Sequence, residues 1–155
     1  MSRAEQYSWA SLAGLAAVFW WFQMRMLDGF AVVDQSAETL TGVYIGVIVA
    51  SIVIEIATAL LLDAVNGGKK EIRDERDILI DARAGLNERL FIIVAVNALV
   101  FQALMADYIK DHAAPHIDLL HLPTLFFALF ATLFGGEMVK RVTSIWLYRA
   151  QAARE

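Results

Sequence analysis

One carboxylate stands inside a long apolar run. Glu55 interrupts the stretch 40–62, about four residues from its middle, which is roughly 6 Å along a helix. In hydrocarbon an ionised carboxylate costs several kcal/mol, so such a residue faces the interior of a bundle and often carries function. No Lys or Arg lies at matching depth in the linear order. The expectation is a protonated Glu55 bonded to Asn97, with Gln102 and Thr132 as further partners. That group would either tie helices together or act as a proton carrier, a cation carrier or a ligand-gated switch.

Three histidines form the second candidate. His112, His116 and His121 crowd one segment, interleaved with Asp107, Asp111 and Asp118. Three imidazoles with carboxylates could hold Zn²⁺ with one position open. Pro115 prevents His112 and His116 from being i,i+4 neighbours on a regular helix, and no HExxH spacing occurs. They are weak metal candidates, and titration near neutral pH is their other use. Bis-His haem is not expected, because no two histidines fall in facing apolar runs. There is no cysteine, hence no thiol nucleophile or Cys-bound metal. No G-x-S-x-G, P-loop or GxGxxG is present. Neither enzymatic activity nor a cofactor is expected.

Two charged features remain. Glu137 follows Gly135-Gly136, with Arg141 at i+4, a spacing that favours an ion pair. The stretch 69–89 packs six cations and six anions into 21 residues. There Lys70/Asp74 and Arg73/Asp77 are i,i+4 pairs of opposite sign. Ile72, Leu79 and Leu86 repeat every seven residues, with Ile78 and Ala82 alongside. The pattern predicts a charged helix with one apolar stripe. The stripe would rest on the membrane, on a cytosolic protein or on a second copy of the chain.

The elements that must position these groups follow from hydropathy. Of 155 residues, 59% are apolar and mean hydropathy is +0.55, above the 45–50% typical of soluble domains. Four runs reach the roughly 20 apolar residues that span a bilayer: 7–26, 40–62, 88–108 and 122–141. The expected class is all-α, a polytopic membrane protein of four transmembrane helices. Eleven of the 13 Lys and Arg lie before the first run, between the second and third, or after Val139. By the positive-inside rule both termini and the charged segment are cytoplasmic, and 27–39 and 109–121 are outer loops. Trp9, Trp146 and Tyr148 would then sit at the inner interface and Trp20 and Trp21 toward the outer one. The N-terminus reads as an uncleaved span. Net charge is −4, and direct nucleic-acid binding is not expected.

Asn66-Gly67-Gly68 breaks the chain after the second run, and no Pro follows until Pro115. One helix from 69–88 into the third span, extended into the cytoplasm, is therefore expected, with Gly85 as its weak point. Gly42, Gly46 and Ala50, and Ala13 and Ala17, recur at four-residue spacing. Such small-residue faces allow close packing within a chain or between copies, and Gly42/Gly46 is a candidate homo-oligomer contact.

The string Asp74-Glu75-Arg76-Asp77, continued by Leu79-Ile80-Asp81 and Arg83-Ala84, resembles the D-E-R-D/E-x-L-I-x-x-R/K-A/S signature of an uncharacterised family of small prokaryotic four-helix membrane proteins. The opening Ser8-Trp9-Ala10-Ser11-Leu12-Ala13-Gly14 agrees, as does the tail with Glu137, Arg141, Trp146, Tyr148 and Arg149. The longer, His-bearing outer loop departs from the pattern. That family has no established activity, and the resemblance implies the inner (plasma) membrane of a prokaryote as the location. Its members are often encoded beside small helix-turn-helix regulators, so the resemblance implies a cytosolic regulator as partner. Asp74, Glu75, Arg76, Asp77 and Arg83 are the docking candidates, and Glu55, Asn97 and Glu137 the intramembrane polar ones. The first expectation is a membrane sensor or regulatory partner protein. A proton- or ion-coupled oligomeric transporter or channel using Glu55 is the second, and a structural accessory subunit of a larger membrane complex the third.

Overall fold

The computed structural model describes residues 3–65, 74–106, 108 and 118–153. Among them are four long helices: α1 Arg3–Met26, α2 Ala37–Val65, α3 Glu75–Leu104 and α4 Leu122–Ala152. Each begins with a local signal. Glu5, Glu38 and the pair Glu75/Asp77 occupy the first turns of α1 to α3, where carboxylates complement the helix dipole. Before α2, Ser36 Oγ accepts the Thr39 amide at 3.3 Å, as an N-cap serine does. Pro123 sits in the first turn of α4, where its missing N–H leaves no gap. α3 runs unbroken through Gly85.

A feature absent from the sequence reading lies between α1 and α2. Leu27–Asp28 pairs antiparallel with Ala31–Val32, and Gly29 turns the corner at φ 63°, a backbone state that favours glycine. Phe30 stands fully exposed at its tip.

The helices pack in the order α2, α1, α4, α3. α1 lies between α2 and α4, α3 packs on α4, and α2 scarcely touches α4. α1 presents Ser8, Ser11, Val18, Phe22 and Met26 as its buried stripe, the spacing of one helical face. The two ends of the bundle are held by different forces. At the end bearing the hairpin, the Phe22 ring centroid lies 5.5–6.0 Å from those of Phe126, Phe127, Phe130 and Phe134, and Val18, Met26, Leu40, Val43 and Val47 complete this core. At the other end the links are polar. Arg3 pairs with Asp63 at 2.8 Å, Lys140 with Glu88 at 3.5 Å and Arg149 with Glu5 at 4.0 Å. The Arg141 and Arg149 guanidiniums lie over the rings of Tyr7 and Trp9.

Glycines mark the closest approaches. A methyl on Gly135 would stand 2.7 Å from the Phe91 ring, and one on Gly136 2.8 Å from Ile92. A methyl on Gly14 would overlap Ile54. Gly46 holds the Trp21 ring, whereas Gly42 meets nothing within 4 Å and Ala13 and Ala17 are exposed. The glycines at close helix contacts are thus Gly14, Gly46, Gly135 and Gly136, while Gly42 is open.

Three helices, α2, α3 and α4, are long and apolar enough to cross a membrane. α1 is not among them, because Tyr7, Ser8, Ser11, Gln23 and its tryptophans dilute its apolar run. Large apolar side chains cover the outer surfaces of α2 and α3, among them Ile45, Val49, Val53, Val94 and Phe101. A soluble monomer does not expose so continuous an apolar surface.

Candidate functional site

Glu55 is the centre of a polar cluster drawn from three helices. On α1, Tyr7 Oη donates to Glu55 Oε2 at 2.5 Å and Ser11 Oγ donates to Oε1 at 2.6 Å. From α4, the Arg141 guanidinium reaches Oε1 at 3.5 Å and Glu137 at 3.9 Å. All the groups that meet Glu55 are donors, which suits an acceptor-only carboxylate. The sequence reading of Glu55 bonded to Asn97 is overturned. Asn97 is exposed and donates to the Ile93 carbonyl of its own helix at 2.8 Å. Thr132 likewise donates to Ala128. The cation missing at matching depth is Arg141, whose long side chain turns into the bundle.

Glu137 and Arg141 do form their i,i+4 contact, but Glu55 shares the guanidinium. Arg141 Nε is buried without an acceptor among the described residues. Two cavities meet at this residue. One, of about 270 Å³, lies toward the charged end and is lined by Arg3, Tyr7, Asp77, Asp81, Arg141 and Tyr148, among others. The other, of about 450 Å³, lies between α2 and α4, with Ser11, Glu55, Glu137 and Arg141 in its wall.

The charged segment is docked on the last turns of α4. Tyr148 Oη donates to Asp77 Oδ1 at 2.8 Å, and Arg76 Nε donates to the Gln151 side-chain oxygen at 2.5 Å. Ile80 and Ala84 are buried below them. The face that α3 buries is therefore Asp77, Ile80, Ala84 and Glu88, not the heptad stripe. Leu79 and Leu86 are exposed; Ile72 lies outside the described residues, as do Lys69, Lys70 and Arg73. Tyr148, expected at the level of the membrane interface, is buried against Asp77. Of the docking candidates, Arg76 and Asp77 face α4, while Asp74, Glu75 and Arg83 face outward.

Among the histidines, His112 and His116 lie outside the described residues. His121 Nε2 is 3.2 Å from Asp34 of the hairpin connection, and its Nδ1 is 3.4 Å from Thr124. Among the described residues no group of three or more His, Asp or Glu is arranged to hold a metal ion.

Tyr7 and Ser11 were not singled out by sequence. Their signal was present, however: Ser8 and Ser11 lie on the same stripe as Val18, Phe22 and Met26, so polar side chains occupy a buried face and require partners.

No protein-family profile, curated protein or solved structure matches the chain.

Proposed function

We propose that this chain is a four-helix integral membrane protein with both ends cytoplasmic, which senses a stimulus at the Glu55–Arg141 cluster and reports it through the charged start of α3. One observation carries the reading. α4 holds, on one face, the residue that grips Glu55 and the residues that hold the charged segment. Arg141 and Tyr148 are seven residues apart, two helical turns, so they project to the same side. Ser144, between them, is buried too. A shift of Arg141 away from Glu55 moves the surface on which Asp77 and Arg76 rest. Release of α3 then changes what Asp74, Glu75, Arg83 and the Leu79/Leu86 surface offer to a cytosolic partner. The resemblance to four-helix proteins encoded beside helix-turn-helix regulators agrees with a regulatory partner. An inner-membrane location follows from the same reading.

The chain has no cysteine, so a single introduced thiol is a clean probe. Ala84 is buried against α4, and an Ala84→Cys thiol reacts with maleimide only when α3 lifts away. Glu55→Gln and Arg141→Gln in that background should raise the labelling rate several-fold, with exposed Arg83→Cys unchanged. Equal rates in parent and both variants would end the coupling model. A companion test replaces Asp74, Glu75 and Arg83 by Ala and follows any cytosolic protein that co-purifies from native membranes. A partner indifferent to all three would remove the outward face from the mechanism.

A further inference from the structure

The larger of the two cavities has a chemistry of its own. At about 450 Å³ it falls within the range that holds a whole small ligand. Its walls are apolar, with Leu15, Val47, Phe130 and Phe134. Its mouth lies between Ile48, Ile52 and Leu133, all exposed on the outer surfaces of α2 and α4. It opens sideways, where the preceding reading places lipid. Its other end is ionic. Glu55 and Glu137 lie 3.5 and 3.9 Å from one shared guanidinium. The next cation, Lys140, is engaged by Glu88 on α3 and does not line the cavity. Two carboxylates against one cation leave one negative charge in excess. Both carboxylates are partly exposed along the crevice, and where lipid rather than water covers it that excess favours a second cation.

We propose that this crevice binds a cationic amphiphile, a lipophilic amine that enters from the bilayer. Its ammonium sits against Glu137 and Glu55, and its alkyl body lies along Leu15, Val47 and Phe130. A lipid acyl chain would fill the apolar walls but leave the extra carboxylate uncompensated. An anionic headgroup would meet the open Arg141 Nε–H but deepen the excess. The amine alone satisfies walls and charge together. The assignment rests on the sensor reading only in treating this site as the point where the stimulus acts; binding itself is measured separately from coupling.

The test uses the full chain in lipid nanodiscs and three photoreactive probes of equal length: a diazirine-bearing dodecylamine, dodecanol and dodecanoic acid. Crosslinked residues are mapped by mass spectrometry. The amine should label crevice residues such as Leu15, Ile48 or Phe130 about tenfold more than the alcohol. Unlabelled dodecyltrimethylammonium should compete it away, which requires no variant. Glu137→Gln leaves the Glu55–Arg141 pair in place and should reduce amine labelling to the alcohol's level. Leu133→Trp, at the mouth, should reduce labelling by every probe. Equal labelling by all three probes would make this a slot for lipid tails and overturn the proposal. Stronger labelling by the acid would make it an anion site on Arg141 and overturn it equally. If the amine binds as expected but Ala84→Cys labelling ignores both the amine and Glu55→Gln, the ligand site stands and the sensor reading falls. If Glu55→Gln alters Ala84→Cys labelling while the amine fails to bind, the reverse holds.

Discussion

Glu55 on α2 and Arg141 on α4 lie at the same depth of the bundle, 3.5 Å apart, although their two helices scarcely touch. The register is set at the other end. Tyr44 and Phe130 meet edge to face with ring centroids 5.9 Å apart, and each of the charged residues stands eleven positions further along its own helix. Because α2 and α4 run parallel, both travel about 16 Å from that contact. The aromatic level thus aligns the ionic one. Tyr7 and Ser11, on the helix between, close the gap.

The pair should show itself in stability. Arg141→Gln leaves Glu55 among hydroxyl donors with no cation, and Glu55→Gln leaves Arg141 with the longer Glu137 contact and the Tyr7 ring. Both groups are partly exposed, so a coupling of about 1–2 kcal/mol is expected. A double-mutant cycle measured by denaturant titration in mixed micelles checks it. Strict additivity of the two substitutions would mean that the ion pair contributes nothing.

The glycines give a sharper contrast. Gly135→Ala and Gly136→Ala place a methyl against Phe91 and Ile92, and should destabilise the α3–α4 contact by about 1–3 kcal/mol. Gly42→Ala and Gly85→Ala meet open space and should be neutral or stabilising by about 0.5–1 kcal/mol through helix propensity. Thermal unfolding of the four variants, compared in one detergent, tests the order.

Removing one hydroxyl should loosen the charged segment. Tyr148→Phe deletes the bond to Asp77 and should cost about 1 kcal/mol of docking. Hydrogen exchange across residues 75–84 should accelerate, while the hairpin end, built on Phe22 and Phe126, stays protected. Exchange unchanged at residues 75–84 would assign the docking to Ile80 and Ala84 alone.

Topology is testable with the same thiol chemistry. Phe30→Cys, at the exposed tip of the hairpin, should react with an impermeant maleimide added to intact cells. Arg83→Cys should react only after permeabilisation. The opposite pattern would invert the orientation, and labelling of both sites in intact cells would contradict a fixed topology.

Much of this architecture was already legible in the order of residues. Apolar runs near 40–62, 88–108 and 122–141 are too long and too continuous for anything but helices, since unpaired strand edges have no place in hydrocarbon. Glu55 identified itself because one carboxylate in such a run is costly. The first run was the weaker case. Ser8, Ser11 and Tyr7 lower its hydropathy, and Tyr7 and Ser11 are there as partners of Glu55.

What the chain order could not reveal is which polar group meets which. Hydropathy counts depth along each helix from its own ends, and by that count Arg141 is the last residue of its run, while Glu55 stands seven residues inside the end of its own. Only packing set α2 against α4 through Tyr44 and Phe130, and only then did Arg141 fall level with Glu55. The same holds for α3. Its composition marked a charged helix with an apolar heptad stripe, yet the rotation that buries Ile80 and Ala84 instead of Leu79 and Leu86 was decided by Gly135 and Gly136, which admit Phe91 and Ile92 at close range. Local pattern determined the helices and the presence of a charge within an apolar run. Register and rotation, which depend on contacts far apart in sequence, decided the partner of that charge and the face that α3 leaves open.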